Sequence, residues 1–212
     1  MLQYRTVYPT TLELLKKLML LPELQDFFLV GGTALALQLG HRISIDIDLF
    51  TQKDFNTKTL SKKLNKQFKI TDLKDDTNTL SCNIIFPEKS ENIIKIDLIK
   101  YSYPLIYPII EIDKIRLLSV EDIIPMKLSA IAGRGSKKDF FDIFYLLKSY
   151  SFDKMFELFK KKFQNTNEFH ILKSLTYFDD AELEPDPKMT EKIEWNTVKS
   201  IITNDTNKYI KR

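Results

Sequence analysis

The chain is short of the residues that cross-link or punctuate a fold. Its 212 residues include one cysteine, one tryptophan, two histidines and five glycines. A lone Cys82 excludes an internal disulfide and a cysteine-based zinc site. Its setting in L-S-C-N-I-I-F makes it a small core residue. No run of about 18 apolar residues is available to span a bilayer, and no charged-then-apolar leader opens the chain. A cytoplasmic protein with no membrane partner is the expectation. Neither sign of charge is in excess: 32 Lys and Arg against 29 Asp and Glu leave a net +3. That balance permits contact with nucleic acid without arguing for it. A hydrophobic share of 43% is enough for a full core, and 29% charged residues make an ordinary soluble surface.

With glycine so scarce, the adjacent pair Gly31-Gly32 stands out. It lies in L-V-G-G-T-A-L-A-L-Q-L-G-H-R-I-S-I-D-I-D-L-F, Leu29 to Phe50. The stretch predicts a buried strand, a Gly-Gly-Thr turn, a short helix and a second strand carrying Asp46 and Asp48. Alternate residues of a strand project from one face, roughly 6.5 Å apart. Two carboxylates so placed repel unless a cation lies between them, and Ile43, Ile45, Ile47 and Leu49 are expected to form the opposite, apolar face. Without Cβ atoms, Gly31 and Gly32 leave backbone N–H groups open at the positive end of a helix, a natural seat for phosphate. Thr33 is either a further hydroxyl donor or the helix cap. A phosphate seat beside a divalent-cation seat points to nucleotidyl transfer of the polymerase type.

That chemistry needs a held triphosphate, divalent cations across the reacting phosphate and an activated acceptor oxygen. Mg2+ or Mn2+ on oxygen ligands suits it, and a few carboxylates with substrate phosphates suffice. Asp97, in the apolar strand I-I-K-I-D-L-I, is the candidate third acid and metal ligand beside Asp46 and Asp48, because a charge there needs a reason. Its alternative is an outward residue alternating with Lys95. Arg42 could fork onto phosphate or pair with Asp46 or Asp54 at the surface; His41 reads as a polar loop residue. A second cluster follows: Lys127 and Arg134 lie two helical turns apart, and Asp139 and Asp142 share a face at i, i+3. These acids could instead pair with Lys127 or Arg134 and lock the helical half onto the sheet. Lys160 to Lys162 read as a solvated face, and Trp195 as a packing anchor.

The same rules set out the elements. Helices are expected over 10–24, 33–39 (stopped by Gly40), 54–68, from Pro125 to Gly133, and over 137–149, 152–163, 167–176 and 195–202. Strands are expected over 27–30, 44–50 and 93–101, with a hairpin of 69–73 and 80–86 around Asp75 to Asn78.

The Gly31–Phe50 motif resembles the signature of the AbiEii/AbiGii toxin-type nucleotidyltransferases, within the DNA polymerase β-like superfamily. M-K-L-S-A-I-A-G-R-G-S-K-K-D-F-F-D-I-F, Met126 to Phe144, is similar to the second motif of that family, and Ser174 to Glu182 is like the ends of its short members. The resemblance implies an α+β fold: a mixed sheet flanked by helices in a nucleotidyltransferase core over 1–115, then a helical region over 116–212 that completes the active-site cleft. It implies an enzyme that moves a nucleoside monophosphate from an NTP to an acceptor, releasing pyrophosphate. The acceptor would be tRNA or protein, and the enzyme the toxin of a type IV-like toxin–antitoxin or abortive-infection system with a cognate antitoxin. By the same resemblance Asp97 acts as base toward the incoming hydroxyl, Lys127 grips the triphosphate, and Asp139 and Asp142 belong to the active site or hold it together; Arg134 joins Gly31, Gly32, Thr33 and Arg42 on the phosphates. A nucleotide-binding module without turnover, and an enzyme modifying small molecules as antibiotic adenylyltransferases do, remain the alternatives.

Overall fold

Alternating side chains build the sheet that carries the carboxylates. In the computed structural model, which describes residues 1–88, 91–164 and 166–211, β1 (Phe28–Leu29), β2 (Ile47–Thr51), β3 (Lys69–Asp76), β4 (Thr79–Ile85), β5 (Ile93–Lys100), β6 (Ile110–Ile112) and β7 (Ile115–Leu117) join in one sheet. Their order is β3-β4-β5-β2-β1-β7-β6. β2 runs parallel to β5 and β1 parallel to β7, while β1–β2, β3–β4, β4–β5 and β6–β7 are antiparallel. Ile47, Leu49, Leu80, Cys82, Ile84, Ile94, Ile96 and Leu98 are buried on one face. Asp48, Ser81, Asn83, Lys95 and Asp97 fall between them, on the other. Each fully buried leucine or isoleucine contributes about 1.5–3 kcal/mol, so a one-residue slip would exchange core for charge.

The described residues form two compact units, Met1–Tyr103 with Ile109–Leu118, and Pro104–Pro108 with Ser119–Arg212. The first unit closes at Leu118, because β7 belongs to the sheet.

In the first unit, α1 (Pro9–Met19) starts at proline, whose missing N–H costs nothing there. It stops short of the expected Leu24, and Pro22–Leu24 makes a separate 3-10 turn. Arg116 ties these pieces to β1: its guanidinium donates to the carbonyls of Phe27 (2.9 Å), Met19 (3.1 Å) and Leu24 (2.9 Å). α2 (Gly31–Leu39) begins two residues earlier than expected and closes at Gly40, in the left-handed region at φ 75°. β2 begins at Ile47 rather than Ser44. The Ser44 N–H is taken by Thr6 O at 2.8 Å, and the intervening Ile45 is 54% exposed; the expected apolar face of Ile43, Ile45, Ile47 and Leu49 is therefore broken at Ile45. α3 (Thr57–Asn65) is shorter than expected because the Asn56 side chain caps it, accepting from the Thr59 N–H.

The hairpin of β6 and β7 was not anticipated. Asp113 (φ 52°) and Lys114 (φ 65°) make its two-residue turn, the left-handed pair that such hairpins require. The alternation in I-E-I-D-K-I-R-L carried the signal, but a turn without glycine concealed it.

The second unit is helical: α4 (Val120–Gly133), α5 (Lys137–Leu147), α6 (Phe152–Lys162), α7 (Phe169–Ser174), α8 (Asp179–Glu182) and α9 (Trp195–Ile210). α4 starts at Val120 and runs through Pro125 instead of starting there. Ser119 caps it, accepting the Asp122 N–H at 3.1 Å. The Asp122 carboxylate, fully buried, takes the amides of Ile106 and Tyr107 at 2.8 Å each and the ammonium of Lys162 at 2.6 Å. These bonds fix the first turn firmly enough to carry an interior proline, which alone costs ~3 kcal/mol. Lys162 is consequently buried, against the expectation of a solvated lysine run; Lys160 and Lys161 are exposed and pair with Glu168 and Glu157. α9 extends eight residues beyond the expected Ile202, burying Val198, Ile202 and Thr206 at helical spacing. Trp195 anchors it as expected, stacked on Phe141 at 5.6 Å and edge-on to Phe140 and Phe178. Among the described residues no helix is long and apolar enough to cross a membrane.

Candidate active site

The glycine turn and the carboxylate strand meet in the first unit. The Val30 N–H donates to Asp48 O at 2.9 Å, clamping the end of β1 to β2. The next residue, Gly31, enters α2 at φ 66°, and a Cβ built on it would stand 2.7 Å from Asp48 Oδ2. Only glycine admits both that backbone angle and that carboxylate. A Cβ on Gly32 would stand 2.5 Å from Arg42 Nη2. Arg42 is thus not a surface arginine: it is 4% exposed, with Nη1 donating to Ile43 O at 3.2 Å. His41, expected in a polar loop, is also buried. Val30, the residue preceding α2, offers no side-chain cap to the first amides of the helix. These N–H groups, with the partial positive charge of the helix end, suit an anion.

Thr33 does not cap α2. Its hydroxyl is buried, lies 2.9 Å from Ser44 Oγ and donates to the carbonyl of Asp46. It pins the segment that delivers Asp46, which is half-buried immediately before β2.

The parallel pairing of β2 with β5 sets Asp48 opposite Asp97, about 4.8 Å away across the sheet. Asp97 occupies the outward face, as its alternation with Lys95 allowed, and both of its oxygens have donors. Ser81 Oγ, opposite it on β4, donates to Oδ1, and Lys95 Nζ lies 2.7 Å from Oδ2. The hydrogen bond to Asp97 raises the Lys95 pKa above its ordinary value, aided by the charges of Asp97, Asp46 and Asp48. That ammonium therefore lies within the field of all three acids. Burial, and next the charge of Asp97, push the Cys82 thiol up to about 11.

Among the described residues no group of three or more His, Cys, Asp or Glu side chains is arranged to hold a metal ion. Mg2+ asks for less, being bound by one or two carboxylates, substrate phosphates and water. Asp48 and Asp97, paired on neighbouring strands with Asp46 beside them, supply hard oxygen donors of that kind. The glycine turn lets the Asp48 carboxylate come so close that a methyl group on Gly31 would overlap it.

The second cluster lies within the helical unit. Lys127 Nζ sits 2.9 Å from Asp139 Oδ1 and 2.6 Å from Asp142 Oδ2, and both acids are fully buried. Arg134 forks onto Asp139, with Nε at 2.7 Å and Nη2 at 2.9 Å. Burial pushes the Asp139 carboxyl up, but the charges and hydrogen bonds of Lys127 and Arg134 more than offset it and hold the group below its ordinary value. Residues 137–139 are further fixed at Ser136 and Lys137, whose hydroxyl and amide donate to Glu184 at 2.7 and 2.8 Å.

Lys95 and Ser81 are the site residues that sequence reasoning missed. Lys95 was visible two positions before Asp97, on its face of the strand; Ser81 became a neighbour only through the β4–β5 register.

Comparison with known proteins agrees with this architecture. An uncharacterized protein of Aquifex aeolicus (strain VF5), aq_aa25, is 35% identical over 211 residues, covering 93% of this chain and 95% of its own. JHP933 from Helicobacter pylori matches with a TM-score of 0.63 at 20% identity, over 97% of this chain and 94% of that one. MenT4, the nucleotidyltransferase toxin Rv2826c of Mycobacterium tuberculosis H37Rv, matches with a TM-score of 0.59 at 12% identity, over 97% and 88%. At such identities the two structures speak for the fold alone. The sequence itself matches the model of the nucleotidyl transferase AbiEii toxin, type IV TA system, over residues 13–208. With that match spanning almost all of its length, the chain belongs to the AbiEii family of nucleotidyltransferase toxins.

Proposed function

We propose that the catalytic centre of this nucleotidyltransferase is formed by Asp46, Asp48 and Asp97 with the Gly31-Gly32-Thr33 turn. The observation that carries this reading is the position of Asp48 Oδ2, which a Cβ on Gly31 would approach to 2.7 Å. It brings the proposed metal ligand and the proposed phosphate seat to one point. The backbone N–H groups at the start of α2 hold phosphate oxygens of the NTP, and Arg42, packed on Gly32, adds charge beneath them. Thr33 acts on the segment of Asp46 rather than on the phosphate, since its hydroxyl proton is already given to Asp46 O.

Asp46, Asp48 and Asp97 are the ligands we assign to Mg2+ or Mn2+, which when bound neutralises charge on the reacting phosphate. The acceptor oxygen forms a bond to the α-phosphorus, and the bond from that phosphorus to the bridging oxygen breaks. Pyrophosphate leaves, and Asp97 takes the acceptor's proton. Positioning and charge stabilisation account for most of the rate. In the helical unit we assign Lys127, Asp139, Asp142 and Arg134 to the structural side of their two alternatives. Burial and mutual pairing leave the Lys127 ammonium no open face toward a triphosphate. The acceptor class we favour is tRNA or protein, with a cognate antitoxin opposing the activity in the cell.

The test is transfer of label from α-labelled NTPs, with Mg2+ or Mn2+, to total RNA, to protein and to aminoglycosides. Labelling of RNA or protein is expected for the parent chain and should vanish in Asp48→Asn and Asp46→Ala variants of unchanged melting temperature. Undiminished labelling by either variant removes the assignment, and labelling of aminoglycosides alone moves the acceptor to small molecules.

A further inference from the structure

Lys95 belongs to the acid cluster by geometry, although it contributes no ligand. It projects from the outward face of β5 two residues before Asp97, with Nζ 2.7 Å from Asp97 Oδ2. Ser81 fills the other oxygen. These two donors take one site on each Asp97 oxygen, and the charge of the Lys95 ammonium at Oδ2 opposes a divalent cation there, so metal and ammonium compete for that oxygen. On the two parallel strands, Asp46 and Lys95 immediately precede the Ile47–Ile96 pair, as Asp48 and Asp97 follow it. The ammonium therefore lies on the outward face of the sheet that Asp48 and Asp97 share. Its stem is free to move, for the Lys95 side chain is 54% exposed while Asp97 is 19% exposed. A triphosphate arriving at the glycine turn offers that ammonium a more highly charged partner.

We infer that Lys95 is the resident counter-cation of Asp46, Asp48 and Asp97, and that it makes metal binding conditional on nucleotide. Lys95 stays on Asp97 until a triphosphate draws it away, which would leave Asp97 Oδ2 open as a ligand for a divalent cation. Lys95 is thus a positioning residue that sets the order of binding and keeps the empty enzyme from scavenging metal. The inference rests on the proposed metal-binding role of the three acids.

The experiment is Mn2+ titration followed by the electron paramagnetic resonance of the free ion, with and without an NTP analogue bridged by methylene between the α and β phosphates. Parent, Lys95→Met, Lys95→Gln, Lys95→Arg and Asp97→Asn chains are compared after their melting temperatures are matched. Without nucleotide, Lys95→Met and Lys95→Gln should bind Mn2+ at least about tenfold more tightly than the parent. The analogue should tighten the parent by a similar factor and those two variants far less, while Lys95→Arg keeps the parent's pattern. Equal nucleotide-free affinity of parent, Lys95→Met and Lys95→Gln, with Asp97→Asn weakened, overturns the role of Lys95 and leaves the metal site standing. Mn2+ binding by Asp97→Asn indistinguishable from the parent, with and without analogue, overturns the underlying site instead.

Discussion

Asp48 Oδ2 and the α-carbon of Gly31 are close enough that one added methyl group would lie 2.7 Å from the carboxylate. Gly31→Ala therefore forces either the strand or the turn to move, and adds the cost of a left-handed backbone, ~1–2 kcal/mol. A shift of ~1 Å at a reacting centre can cost about a hundredfold in rate. Gly31→Ala should lose label transfer by at least that factor while unfolding cooperatively. Activity within a few-fold of the parent would show that the contact is dispensable.

The buried acids of the helical unit give a pH signature. Asp139 titrates below its ordinary 3.8 in the folded chain. A group lowered in this way stabilises the fold above the unfolded value, and the contribution disappears as pH falls through the folded one. The urea midpoint should accordingly drop as pH is lowered below about 3.8, and Asp139→Asn should flatten that part of the curve. At neutral pH the same substitution leaves the buried Lys127 with Asp142 as its one carboxylate partner and should cost about 1–3 kcal/mol. An unchanged acid limb in Asp139→Asn would contradict this.

Lys162 and Asp122, both fully buried, are 2.6 Å apart. Lys162→Met leaves a buried carboxylate without its cation and should destabilise by about 3–5 kcal/mol. Adding Asp122→Asn should recover part of the loss, since the amide carries no charge and its one oxygen still accepts one of the two backbone N–H groups. Additive losses in the double-mutant cycle would mean that the two side chains are not coupled.

The Cys82 thiol, pushed up to about 11 by burial and then by the nearby Asp97, should resist disulfide reagents at pH 8 in the folded chain and react fully in urea. Rapid modification without denaturant would contradict the burial of β4.

The motif from Gly31 to Asp48 was legible because it is local: glycine pair, helix stop at Gly40 and alternating carboxylates sit within a short stretch whose chemistry depends on spacing. Hairpin β3–β4 and strand β5 were legible for the same reason. What failed depended on distant partners. Pro125 argued for a late start to α4, and nothing near it in sequence revealed that Asp122 would gather Ile106, Tyr107 and Lys162. Lys162 looked solvated in a lysine run until its partner lay 40 residues upstream. Arg42 could not be placed until Gly32 was seen beneath it. The full length of α9 was hidden by its polar residues, since Val198, Ile202 and Thr206 bury only one narrow stripe.

The carboxylate of Asp122 reaches backward along the chain to hold residues 106 and 107, so Pro104–Pro108 groups with residues translated later. During synthesis this loop is made 15 to 16 residues before Asp122. It must stay unorganised until Lys162 has been added, more than fifty residues on. A chain stopped after β7 would have its seven strands but would leave the amides of Ile106 and Tyr107 without the carboxylate that holds them.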